Sequence, residues 1–152
     1  MQFEYDKTYI YTIMNVTFSD FPAEELNELF RDGRISSHFM ERDLGKRFNL
    51  KHVPGCKDHD LVGLDLKIDE KTFTRGGCKF MPSNMIGTGR SFNKEEFIKK
   101  SSNLVYAIVS VVDFPEIKTR FVKGDKLAEK YPTGEISFNK HAYFFTDFPK
   151  PN

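Results

Sequence analysis

The chain contains no tryptophan, only two cysteines, Cys56 and Cys78, and no apolar run long enough to cross a bilayer. Two cysteines cannot build a disulfide scaffold and point to a reducing compartment. The opening Met1-Gln2-Phe3-Glu4-Tyr5-Asp6 is too polar for a secretory leader, so the expectation is a cytoplasmic protein without a membrane partner. Charge of one sign is also lacking: 23 basic residues face 22 acidic ones, for a net charge of +1. That excludes a histone-like or tail-type nucleic-acid binder. It leaves room for an enzyme whose acidic centre offsets a basic cleft. There is no internal repeat, low-complexity tract or Gly/Ser linker. The pair Gly87-Thr88-Gly89 lacks the third glycine and the lysine-serine of a phosphate-binding loop, which excludes mononucleotide binding by that device.

What is present is aromatic. Sixteen phenylalanines and six tyrosines in 152 residues suit one sheet-containing domain over residues 1–152, large enough to bury its own core. Thr8 to Phe18 is rich in β-branched and aromatic residues and predicts a strand. Pro22 fits the first position of a helix through Phe30, which Gly33 would end. A second helix is expected from about Ile35 to Phe48, where Ile35, Phe39, Met40, Leu44 and Phe48 form apolar stripes. Asn93 caps a helix with acids early and lysines late. Asn103 to Phe114 is the most apolar run and reads as a buried central strand ended by Pro115. Ile117 to Val122 predicts a half-exposed strand, Gly124 to Tyr131 a short helix, and Ile136 to Phe138 and Ala142 to Phe145 weak strands. The tail from Asp147 is expected to be extended.

One stretch stands apart, from Asp58 to Thr74. It reads as two strands, Asp60-Leu61-Val62 and Leu66 to Thr74, joined by a turn between Gly63 and Asp65. Alternate side chains of a strand share a face, so Asp69 and Lys71 point one way and Ile68 and Glu70 the other. Asp60 would begin the neighbouring strand, bringing two carboxylates and an ammonium to one sheet edge.

Asp60, then eight residues, then Asp69-Glu70-Lys71 resembles the D…(D/E)-x-K signature of the PD-(D/E)XK nuclease superfamily, which includes type II restriction endonucleases. The order of helix, strand, motif strand, helix and apolar strand extends the likeness from about residue 35 to 121. His59 stands where the signature has proline. The resemblance implies an α/β (α+β) fold with a restriction-endonuclease-like core, a mixed central β-sheet flanked by helices. It implies a Mg2+-dependent DNA endonuclease acting on double-stranded DNA as a homodimer, whose two-fold matches two cuts on a two-fold site. It also implies that Glu41, on the helix before the motif strand, contributes a further metal contact.

The chemistry agrees with the likeness. Phosphodiester hydrolysis needs an activated water and a shield for negative charge, and a hard divalent ion supplies both. Magnesium takes one or two protein carboxylates together with water and phosphate oxygens. Asp60 and Asp69 meet that demand, the backbone carbonyl of Glu70 is a further ligand candidate, and Lys71 would face the attacking water or the phosphate. Asp65-Leu66-Lys67, with Asp58 upstream, is an alternative acid-x-lysine unit. Arg75, Lys79 and Arg90 lie on glycine-containing loops suited to DNA contact, and Ser37, Arg42, Lys46 and Arg47 would face phosphates if their helix borders the cleft. A zinc set of His52, Cys56, His59 and Cys78 lacks the paired close ligands of a structural site. A junction-resolving nuclease and a non-catalytic binding protein on the same core are the competing readings.

Overall fold

A computed structural model describes residues 1–55, 59–146 and 148. Cys56, Asp58 and the tail at Asp147 and 149–152 lie outside the described residues, and with them the zinc set's second member, the alternative motif's upstream acid and the extended tail. The order is β1 (Thr8–Thr12), α1 (Ala23–Phe30), α2 (Gly33–Arg47), β2 (Lys51–His52), β3 (Leu61–Gly63), β4 (Leu66–Phe73), β5 (Cys78–Lys79), α3 (Lys94–Ser102), β6 (Val105–Ser110), β7 (Glu116–Lys123), α4 (Gly124–Lys130), β8 (Glu135–Ile136) and α5 (His141–Thr146). Six strands form one mixed sheet in the order β1-β7-β6-β4-β3-β2, and β5 pairs with β8 apart from it. The protein is therefore mixed α and β.

The apolar run, expected as a strand from Asn103 to Phe114, gives a shorter one, β6, after which the chain turns well before Pro115. All six residues of β6 are buried, and it lies between β4, to which it is parallel, and β7, to which it is antiparallel. A parallel pair needs a crossover, and α3 supplies it. The Asn93 side chain caps α3 by accepting from Glu96 N at 3.0 Å. The β3–β4 hairpin turns at Leu64 and Asp65, both at positive φ (52° and 60°), the geometry that matches strand twist in a two-residue loop. Helix α2 packs on the sheet through Met40 and Leu44, which join Ile68, Ala107, Val109 and Phe121 in one core cluster. On the opposite face Phe73, Tyr106, Ile108 and Val122 join Phe80, Phe97, Leu127 and Phe144 in a second.

Several sequence expectations are corrected. β1 stops at Thr12 rather than Phe18, and Asn15 (φ 58°) and Ser19 (φ 54°) turn the following chain. Pro22 is the cap of α1, one residue before its first turn. Gly33 opens α2 instead of closing α1, because Asp32 caps it by accepting from Arg34 N. Of the α2 stripe, Ile35 and Phe39 are exposed (51% and 41%) while Met40, Leu44 and Phe48 are buried. β7 is an interior strand, with Arg120 buried and donating to Thr8 Oγ1 and to the Phe145 carbonyl. Ala142 to Phe145 is helical, its aromatic side chains packing against Phe73.

The start of α4 lies against the end of α3. Gly124 N donates to the Leu104 carbonyl at 2.9 Å, and a Cβ at Gly124 would overlap the Ser101 carbonyl oxygen. Gly124→Ala is expected to destabilise the fold by about 1–3 kcal/mol, the usual range for overpacking. Gly76→Ala, which meets only Thr74 Oγ1 at 3.5 Å, should stay within about 0.5 kcal/mol of the native protein. Urea unfolding of the two variants measures the difference.

Candidate active site

The site grows from the place where β3 ends. β3 covers β4 only from Leu66 to Ile68, while β4 continues to Phe73, paired with β6 on its other side. Asp60 takes over at that point. Its backbone N–H donates to the Ile68 carbonyl at 2.9 Å, and its Oδ2 accepts from Glu70 N at 2.8 Å. The N–H and C=O of one strand residue face the same neighbour, so the Glu70 carbonyl also faces the Asp60 side. The edge of β4 from Glu70 onward is thus lined by a carboxylate and by backbone groups, not by a strand.

On one face of this edge, Lys71 Nζ lies 3.3 Å from Asp69 Oδ2, with the two side chains 18% and 17% exposed. Asp60 stands close enough to Asp69 to act on its carboxyl. Burial pushes Asp69 up to about 7; Lys71 opposes the shift, and the neighbouring Asp60 adds to it. The ion pair alone would have lowered Asp69, so burial and like charge outweigh it. For Lys71, burial works to lower the pKa, but the Asp69 carboxylate, with smaller help from Tyr106 and Cys78, outweighs it and leaves the ammonium above its ordinary range. Tyr106 stands beside Asp69 on β6.

The other face carries two more carboxylates. Glu70 is buried toward α2, where Thr72 Oγ1 donates to its Oε1 at 2.6 Å. Burial raises its pKa strongly despite that bond, and Glu41, Asp60 and Asp69 raise it further. Glu41 projects from α2 with its Oε2 3.2 Å from His52 Nε2 and 3.9 Å from His38 Nδ1. Burial and then Asp60 raise Glu41, and the two histidines oppose them. Asp60, at the edge, therefore acts on acids on both faces of β4.

These groups form the floor of an open cleft of about 1330 Å³. One wall is the first turns of α2, at Gly33, Arg34 and Ser37. The other is the segment from Lys79 to Ile86, together with the end of α3 at Lys100 and Asn103. The half-buried and buried floor is acidic, whereas Arg34, Lys67, Lys79 and Lys100 at the rim are exposed.

Asp60, Asp69 and Lys71 are brought together as the sequence motif expects, with Glu70 reaching the same point through its backbone and Glu41 behind it. Lys79 and Ser37 line the cleft. Arg75 is exposed in the turn after β4 and is not among the lining residues. Arg90 also stands outside; its Nη1 donates to the Ser83 carbonyl at 2.6 Å, bracing a cleft wall. Arg42 and Lys46 are exposed away from the lining, and Arg47 pairs with Asp43 and lies over the Tyr11 ring. In the alternative unit, Asp65 is exposed in the hairpin turn, while Lys67 lines the cleft. Cys78 is buried, which raises its thiol pKa, and His52 is engaged by Glu41. The sequence reading missed Arg34, Lys100 and Asn103 as cleft residues and His52 and His38 as partners of Glu41. The alternation of β4 already put Lys67 on the face of Asp69; nothing local marked the others.

Among the described residues, no group of three or more His, Cys, Asp and Glu side chains is arranged to hold a metal ion. The available donors are two side-chain carboxylates, Asp60 and Asp69, with the Glu70 carbonyl beside them. The Glu70 carboxylate is turned to the other face. Two carboxylates, with Asp69 raised by burial to about 7, match the one or two that magnesium takes from a protein. No family model, curated protein or solved structure matches the chain.

Proposed function

We propose that this chain is a magnesium-dependent DNA endonuclease with a restriction-endonuclease-like core, acting on double-stranded DNA as a homodimer in the manner of type II restriction enzymes. The observation that carries this reading is the convergence of Asp60, Asp69 and Lys71 at the uncovered edge of a central strand, on the acidic floor of a basic-rimmed cleft. The succession α2, β2, β3, β4, β5, α3, β6, with β4 and β6 parallel and the short β5 outside the main sheet, supports the fold assignment.

Asp60 and Asp69 would hold the ion, with the Glu70 carbonyl, on the Asp60 side of β4, as a further ligand. Bound magnesium supplies charge shielding at the phosphate and a water of lowered pKa. The chain's own residues do the rest. The Glu70 N–H fixes Asp60 in one orientation. Lys71, held against Asp69, presents an ammonium to the phosphate and offsets the negative floor. Glu41, steadied by His52, keeps a third carboxylate near Asp60 and orients it through charge.

Asp69→Asn removes a charge and keeps the shape. Cleavage should fall by more than about 100-fold, the upper range for losing even an outer partner of a metal site. Binding of duplex DNA in calcium should persist or tighten, since affinity rests on phosphate contacts elsewhere. Lys71→Ala should abolish cutting as well but weaken binding modestly. Cleavage rates in magnesium and mobility shifts in calcium test both signs together, and near-native cutting by both variants would end the assignment. Glu41→Gln should raise the magnesium concentration needed for half-maximal rate by about tenfold, the lower range for an outer-shell loss. An unchanged magnesium titration would remove Glu41 from the site.

The raised pKa of Asp69 also sets a pH dependence. A carboxyl whose folded pKa lies above its ordinary value prefers to be protonated in the fold. It costs no stability below the ordinary carboxylate range, and the cost builds as pH rises toward about 7 and is complete above it. The shifts of Glu41 and Glu70 have the same sign. A cation between Asp60 and Asp69 relieves that cost. Excess magnesium should therefore raise the melting temperature clearly at about pH 8 and little at about pH 5. Asp69→Asn should melt higher than the native protein at about pH 8 without metal, and should lose most of the magnesium response.

A further inference from the structure

The end of the cleft at the start of β4 carries cations that the cleavage chemistry does not use. Lys67 shares the face of Asp69 and Lys71, two residues before Asp69. At the rise of a strand that is about 6.6 Å away, a separation comparable to that of successive phosphates along one nucleic-acid strand. Continuing the parallel register Ile68↔Val105 backward places Asn103 and Leu104 beside Leu66 and Lys67. Lys100, in the last turn of α3, lines the cleft with them. Lys67, Lys100 and Asn103 are all exposed. Among the described residues Lys67 takes part in no ion pair, and Lys100 has only a loose one, 3.7 Å from Glu96 with both side chains more than two-fifths exposed. Lys67 and Asn103 also line a second depression of about 490 Å³, which runs on past the hairpin turn toward Lys123. Lys67 and Asn103 thus stand between the carboxylate-floored cleft and this second depression, which Asp65 and Asp125 also line.

We propose that Lys67, Lys100 and Asn103 form a phosphate track that grips the DNA backbone on one side of the scissile bond. The inference rests on the endonuclease reading and deepens it, because it names where the substrate leaves the site. With the scissile phosphate over Asp60, Asp69 and Lys71, Lys67 meets the adjacent phosphate. Lys100 meets the one after it, and the Asn103 amide, one of whose N–H groups is held by the Lys99 carbonyl at 3.1 Å, donates its other N–H to the same backbone. These contacts hold and align the duplex; they read no bases.

The test is fluorescence anisotropy of a dye-labelled DNA duplex with the full chain in calcium, across a series of salt concentrations. Each phosphate contact contributes about 0.9 to the slope of log affinity against log salt. Lys67→Ala combined with Lys100→Ala should therefore reduce the slope by about 1.8 and weaken binding at every salt concentration. Lys94→Ala with Lys99→Ala, a charge-matched pair on α3 outside the cleft lining, should leave the slope unchanged. All four lysines are exposed, and melting curves of the two double variants establish that both fold. If the native chain binds DNA and the first double variant keeps its slope, the track is refuted and the endonuclease assignment stands. If the two double variants lose slope equally, the effect is one of net charge and the track is likewise refuted. If the native chain binds no DNA, both the track and the assignment fall.

Discussion

The hydrogen bond from Glu70 N to Asp60 Oδ2 is the contact on which the site depends. A strand that outruns its neighbour leaves backbone donors and acceptors unpaired, and an open edge must be covered, capped or used. Here β3 ends opposite Ile68, and the side chain of the residue before it replaces the missing ladder. That one substitution of a carboxylate for a backbone carbonyl brings Asp60 to Asp69. The Glu70 carbonyl leaves the strand on that same side, and the rest of the edge stays open to the cleft. Were β3 one or two residues longer at that end, Asp60 would be a ladder residue and the edge would be closed.

Electrostatics then follows from position. Asp69 and Glu70 are successive residues of a strand, so their side chains leave on opposite faces, and both are drawn into low-dielectric surroundings. Glu41 approaches from α2 on the second face. Lys71 is the ammonium placed among these acids, and His52 and His38 are the groups that oppose the rise at Glu41. The raised values at Asp69, Glu70 and Glu41 share one leading cause, burial, and one common contributor, Asp60. A floor with this excess of negative charge favours either protons or a cation, and near neutrality the balance between them is close.

Much of this was legible in the chain because the signals were local. The β3–β4 hairpin, the cap at Asn93, the apolar run of β6 and the pairing of Asp69 with Lys71 by strand alternation are all set by residues a few positions apart. The β1 strand was overextended because β-branched composition continues past Thr12, while the backbone turns at Asn15 and Ser19. Gly33 was assigned to the wrong helix because a glycine suits both a helix end and a first turn, and the Asp32 cap decided it. The aromatic run from Tyr143 to Phe145 favours a strand by propensity, but packing against Phe73 makes it a helix. The half-exposed pattern expected of β7 failed because Arg120 is buried through long-range bonds to Thr8 and Phe145. The cleft walls are non-local for the same reason. Arg34, Asn84 and Lys100 meet across three separate elements, and no spacing in the sequence joins them.

The claim at the centre of this account is that the uncovered edge of β4 holds a divalent ion between Asp60 and Asp69. Crystals soaked in manganese, with data collected to reveal anomalous scattering, test it most directly. The account predicts a strong anomalous peak between the two carboxylates and beside the Glu70 carbonyl, absent from Asp69→Asn crystals treated alike. A map with no peak there, or with one that survives in Asp69→Asn, would contradict it.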